Sequence, residues 1–174
     1  MWRDVDDPRL LTTEPLALDL LNTHWTRGDV LLDAPDGTAA WLAAVGHAGA
    51  PAGPAARDAL VAARDAIRAA LDGDPGPLNA VLARGHLAER LGPGGPERLP
   101  EVGDAEWRVP WLAAADLLEL LRAGRHRIRA CAAHDCVLHF YDDSRGGRRQ
   151  WCSMATCGNR AKARRHYERT RSAQ

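Results

Sequence analysis

Cys131-Ala132-Ala133-His134-Asp135-Cys136 and, further along, Trp151-Cys152-Ser153-Met154-Ala155-Thr156-Cys157 contain all four cysteines of a 174-residue chain. Their spacing is C-x4-C-x15-C-x4-C. Two close pairs divided by a loop are what tetrahedral zinc requires, because each pair supplies two thiolates from one tight turn and the loop folds back to bring the turns together. The surrounding segment has few large apolar residues, chiefly Ile128, Val137, Leu138, Phe140, Tyr141 and Trp151. A core that small is marginal without a metal. One structural Zn2+ held by Cys131, Cys136, Cys152 and Cys157 is therefore expected.

Three other readings of the cysteines compete with that one. Disulfides require an oxidising compartment, and the chain starts Met1-Trp2-Arg3-Asp4-Val5-Asp6-Asp7, acidic where an export signal is basic and then apolar. A catalytic thiol has candidate bases in His134, His139 and His166, but a lone nucleophile does not come as two symmetric pairs. His134 is the most plausible substitute ligand, although four cysteines already complete the shell.

The chain between the pairs has the residues of a hairpin. Val137-Leu138-His139-Phe140-Tyr141 reads as a strand, Asp142 to Gly147 as a turn, and Arg149-Gln150-Trp151 as the returning strand. After Cys157, Asn159 to Arg169 contains no helix breaker and reads as a helix, with Cys157 near its N-terminus, where amide donors favour a thiolate. Knuckle, hairpin and ligand-bearing helix predict a treble-clef-like finger.

Upstream lies a body of apolar segments punctuated by Pro and Gly. Thr12-Thr13-Glu14-Pro15 predicts a helix start ahead of Leu16, Leu18, Leu20 and Leu21, running to about His24. A second helix follows Pro35-Asp36-Gly37-Thr38 and carries Trp41, Leu42 and Val45. Leu60, Arg64, Ile67 and Leu71 mark one face of a third. Leu78, Val81 and Leu82 open a fourth, expected to extend toward Leu91, with residues 92–109 as loop and a short strand. Pro110 opens a fifth, with Trp111, Leu112, Ala115, Leu118 and Leu121 as its apolar face, ending near Gly124. Trp41 and Trp111 are expected in the core. The fold class is mainly α: a helical N-terminal domain followed by a small treble-clef-like zinc finger with a β-hairpin and a C-terminal helix. The expected division is 1–124 and 125–174.

The formal charge of zero is a cancellation. Residues 1–121 carry ten Arg against nineteen acids, a net of −9, and residues 122–174 carry twelve Arg and Lys162 against four acids, a net of +9. An acidic body joined to a basic module implies a polyanionic partner for the module. A composition that favours Arg over Lys throughout explains the choice of cation but not its position. No apolar run is long enough to cross a membrane, so a cytoplasmic protein is expected.

Trp151 to Arg165 closely resembles the signature of the CGNR zinc-finger family of bacterial proteins, named for the string Cys157-Gly158-Asn159-Arg160. Asp143-Ser144-Arg145, Arg148-Arg149 and the Cys131/Cys136 pair fit the same pattern. Ala17-Leu18-Asp19-Leu20-Leu21-Asn22-Thr23 with Arg27, then Leu31-Leu32 and Trp41-Leu42, is similar to the ABATE domain usually paired with this finger. The resemblance implies a helical N-terminal domain, a C-terminal zinc finger and a stress-linked transcription regulator.

Three functions follow as expectations. In the first, Arg145, Arg148, Arg149, Arg160, Lys162, Arg164 and Arg165 form a cationic surface that binds DNA or RNA through phosphates; the plainer alternative is a solvated or internally paired face. In the second, Asn22, His24 and Arg27, clustered with Thr23 and Trp25 at the end of an apolar helix, bind a small anionic ligand; the alternative is helix capping. In the third, the finger and body bind a protein partner or form a homodimer. No nucleophile–base–orienter set, phosphate loop or open catalytic zinc motif is legible, so no catalytic residue is assigned. A ligand-responsive regulator combines the first two.

Overall fold

The computed structural model describes residues 14–24 and 31–172, apart from the side chains of residues 165, 166 and 172. Thr12, Thr13, Trp25 and Arg27 lie outside the described residues. Six helices and two antiparallel strand pairs are described: α1 (Leu16–Leu21), α2 (Gly37–Ala44), α3 (Pro54–Asp72), α4 (Gly76–Leu82), β1 (Gly85–Gly92), β2 (Gly95–Val102), α5 (Arg108–Gly124), β3 (Ile128–Ala130), β4 (His139–Tyr141) and α6 (Asn159–Ser172).

The short helix α1 is the centre of the body, with Ala17, Leu18, Leu20 and Leu21 almost fully buried. Pro15 precedes it and offers no side-chain cap. Asp116 of α5 supplies one across the core, its Oδ2 accepting the Ala17 N–H at 2.9 Å. The helix stops at Leu21, short of His24, as Thr23 Oγ1 donates to Leu20 O at 2.7 Å and Thr23 O accepts the Leu31 N–H at 3.0 Å. Pro54 at the first turn and Gly73, at φ 107°, delimit α3. Its buried side comprises Ala56, Ala59, Leu60, Ala63, Arg64, Ala66 and Ile67. The buried side of α5 is rotated from the expected face: Val109, Ala113, Leu117 and Leu120 enter the core, while Leu118 and Leu121 flank it.

Residues 85–102 depart most from expectation. In place of a long fourth helix and a loop, β1 pairs with β2 from Gly85↔Val102 to Gly92↔Gly95. A Cβ on Gly85 would lie 2.7 Å from Glu101 O and 3.0 Å from Trp111 Nε1, so the strands and α5 close there only around glycine. Trp111 Nε1 also donates to Leu82 O at 2.9 Å, tying the end of α4 to α5. The run Gly92-Pro93-Gly94-Gly95, a breaker by composition, is the hairpin turn.

The finger contains a hairpin, but with different strands. His139–Tyr141 forms β4 as expected; its partner is β3, upstream of the first cysteine pair, so the knuckle Cys131–Cys136 lies within the hairpin's connection. The segment 149–151 is not a strand. It returns beside the knuckle with the Ala132 N–H donating to Gln150 O at 2.9 Å. Buried Asp142 explains the turn: its carboxylate accepts from the Ser144 N–H (3.1 Å), the Ser144 hydroxyl (2.5 Å), the Arg149 N–H (3.1 Å) and the Arg129 guanidinium (3.2 Å). An amide bonded to a side chain cannot also join a ladder. Ile128 and Tyr141 pack against the body core. Among the described residues no helix is long and apolar enough to cross a membrane.

Candidate metal centre and the residues around it

The sulfur atoms of Cys131, Cys136, Cys152 and Cys157 all lie within 4.8 Å of one another. Cys131 opens the knuckle, with its N–H donating to Leu138 O at 2.8 Å, and the Cys136 N–H closes it on Ala133 O at 3.0 Å. Cys157 sits in a π-helical turn, Met154–Gly158, that runs directly into α6. All four cysteines are free, at Sγ–Sγ separations of 3.7 Å (Cys136 to Cys152) and 3.6 Å (Cys152 to Cys157).

The donor set fits zinc. Four thiols at this range cannot all ionise without a cation between them. Hydrogen bonding with Cys152 draws the Cys136 thiol down to about 5, while burial pushes Cys157 up to about 11 and the same contact with Cys136 drives Cys152 well above the ordinary thiol range. One proton-poor sulfur among proton-rich neighbours is the metal-free pattern of a crowded cluster, and a divalent ion removes that repulsion. The surroundings also favour thiolates: the Cys152 N–H donates to Cys131 Sγ at 3.4 Å and Arg160 Nη2 to Cys157 Sγ at 3.6 Å. One structural zinc ion belongs here.

The basic side chains divide by what they touch. Arg149 lies over the Phe140 ring, 4.4 Å from its centroid, and directs its donors inward to Trp151 O, Tyr141 O, Cys152 O and Glu14 Oε1 at 2.7–3.2 Å. Arg125, Arg127 and Arg129 are likewise bonded to Leu71 O, Asp142 O and Gly147 O. Arg160 pairs with Asp135 at 3.1 Å and Arg164 with Glu168 at 3.0 Å, both between exposed side chains. Arg145, Arg148 and Lys162 are exposed and have no side-chain ion pair among the described residues. The Arg165 side chain is outside the described set.

Asn22, expected at a ligand site, bridges body and finger. Its Nδ2 donates to His139 O at 2.8 Å and its Oδ1 accepts the His139 N–H at 2.9 Å, so the amide pairs with β4 as a neighbouring strand would. Glu14, 5% exposed, makes the second joint by accepting the Tyr141 N–H at 2.8 Å and Arg149 Nη2 at 2.7 Å. His24 follows the first joint by two residues and is partly buried. Neither Glu14 nor Asp142 was legible as a site residue: each partner is a backbone group or a cation that only the fold brings near. Asp19, 6% exposed on α1, is pushed up to about 8 by burial and then by the charge of Glu14.

Two family models match the chain. The first, ABATE, described as "Putative stress-induced transcription regulator", matches residues 14–124, and the second, the CGNR zinc finger, matches residues 127–170. No curated protein matches the chain.

Proposed function

The chain belongs to the ABATE family and carries a CGNR zinc finger, and on that premise we propose that it is a transcription regulator that binds nucleic acid through the finger and responds to a small anionic ligand in its body. The observation that carries this reading is the cationic surface left after internal pairing is discounted. Arg145 and Arg148 on the turn and Lys162, Arg169 and Arg171 on α6 are exposed. Arg160 and Arg164 join them readily, because exposed ion pairs are worth at most about 1 kcal/mol and exchange for phosphate. Arg149 is excluded by its internal bonds. The finger's role is then electrostatic, with bidentate Arg contacts to phosphate and zinc fixing their spacing.

The ligand response has a physical route. The finger is joined to α1 through Asn22 and to the segment preceding it through Glu14. A ligand that shifts the end of α1 therefore acts on β4 directly. Arg27, part of the same expectation, lies outside the described residues.

Anisotropy of labelled duplex DNA and of single-stranded RNA tests the reading, using zinc-loaded protein over a salt series. Log affinity should fall with log salt at a slope of about −3, as expected for three or four neutralised phosphates. Absence of binding at low salt to either probe would contradict it.

A further inference from the structure

Arg64 lies midway along α3 with its side chain 7% exposed. Its ion-pair partner among the described residues is Asp65, itself 60% exposed, which meets Nε at 3.0 Å. Nη1 is buried and has no hydrogen-bond partner. A buried cationic donor is a liability unless something completes it. The surroundings show what would. Arg68, half-buried, follows one turn later on the same helix face. His24 arrives from the end of α1, and β4 brings His139, whose Nδ1 is also buried and unpartnered.

These groups lie close enough for their charges to act on one another. The charges of Arg64 and Arg68 both bear on His24, and that of Arg68 bears on His139; together with burial, the larger cause, they hold both imidazoles below their ordinary value. Asp65 and Asp33 act the other way on His24, as a hydrogen bond with the Val137 backbone and then the charge of Asp72 do on His139. The cluster thus combines two cations, two imidazoles that stay neutral at pH 7, and two buried polar atoms without partners.

We infer that the junction of the end of α1, the Arg64/Arg68 face of α3 and His139 of β4 binds the oxyanion of a small carboxylate or phosphate compound. Arg64 Nη1 is the principal donor and Arg68 the second cation. The imidazoles of His24 and His139 meet a hydroxyl or other neutral polar group of the same ligand. This site deepens the ligand-responsive half of the proposed function and rests on it, and its position gives the response its means: His139 is the residue Asn22 grips.

The test is thermal melting of the zinc-loaded full chain at pH 7, titrated with inorganic phosphate and with the hydroxy acid malate at ionic strength held constant with NaCl. At least one probe should raise Tm saturably, by about 5 °C at a hundredfold excess over Kd. Arg64→Met should abolish the rise while melting no lower than the parent without probe, because it removes a buried cation whose Nη1 has no partner. Arg68→Gln, at a half-exposed position, should weaken the probe about tenfold. The inference is overturned if neither probe acts saturably, if Arg64→Met responds like the parent or melts far below it, or if Arg68→Gln binds with full affinity. DNA affinity of the same samples with and without probe is read separately: an Arg64-dependent rise in Tm with unchanged DNA affinity keeps the site and removes the ligand response.

Discussion

The body and the finger are held together by different physics. Among the described residues, nineteen buried apolar ones, from Ala17 to Leu120, form the body's core, whereas the finger's own buried cluster consists of Leu138, Phe140 and three of its four cysteines. The first closes by the hydrophobic effect, at about 25 cal/mol per Å2 of apolar surface removed from water. The second has too little such surface and closes around a metal. The difference bears on function as well as stability. A metal-built module can devote its surface to charge, and among the finger's exposed charged residues cations outnumber acids, whereas the acidic body draws most of its large apolar side chains into one core.

The largest effect that can separate the two regions comes from Cys152→Ser. Zinc content should fall to near zero and the finger should unfold, since structural zinc in small fingers is worth about 10–16 kcal/mol. Metal analysis and far-ultraviolet circular dichroism check this together: most of the helical signal should persist, because α3 and α5 lie in the other core. Full zinc occupancy with an unchanged finger would show that the four-cysteine shell is wrong.

The joint between the regions is the next test. Glu14→Ala leaves the Tyr141 N–H and the Arg149 guanidinium without their shared acceptor and should cost about 3 kcal/mol. Chemical denaturation should show it as a lower midpoint, with finger and body signals separating in the fluorescence of Trp151 and Trp41. A loss below about 0.5 kcal/mol would mean the finger docks through Asn22, Ile128 and Tyr141 without help from Glu14.

Asp19 supplies a test of opposite sign within the body. Its folded value of about 8 stands above the ordinary 3.8, so the folded state holds the proton more tightly. The stabilisation this gives is complete below about pH 4 and is lost as pH rises toward 8. Asp19→Asn should therefore flatten the decline, with a Tm advantage over the parent that grows between pH 5 and pH 8 and corresponds to about 5 kcal/mol at the upper end. A gap independent of pH would place the proton elsewhere.

The smallest expected effect on stability, and the most specific for function, comes from Arg145→Ala with Arg148→Ala. Exposed side chains without ion pairs should change stability by less than about 0.5 kcal/mol. The salt slope of nucleic-acid binding should nevertheless flatten by about 2. An unchanged slope would assign the phosphate contacts to α6.

What the sequence disclosed follows the same divide. The four cysteines, the Leu60, Arg64 and Ile67 face of α3 and the uninterrupted run of α6 are local patterns, and each is observed where it was read. The strands β1 and β2 were missed because Gly92-Pro93-Gly94-Gly95 ends a helix and turns a hairpin equally well, and the decision rests with Trp111 and Gly85 across the fold. The finger's hairpin was assigned the wrong second strand because Asp142, not a strand partner, takes the amide of Arg149. Asn22 reaches His139 across 117 positions and Arg149 reaches Glu14 across 135. No local pattern announces such pairs. Arg64 was visible as a polar residue on an apolar face, but its unpaired Nη1 is a property of the packed structure.

Hydrogen exchange read along the zinc-loaded chain, before and after metal removal with a chelator, tests the two-core account most directly. Protection should collapse over residues 128–172 and persist through α3 and α5, with partial loss at the end of α1 where Asn22 releases β4. Protection that survives in the knuckle and β4 without metal, or that disappears equally from α3 and α5, would contradict it.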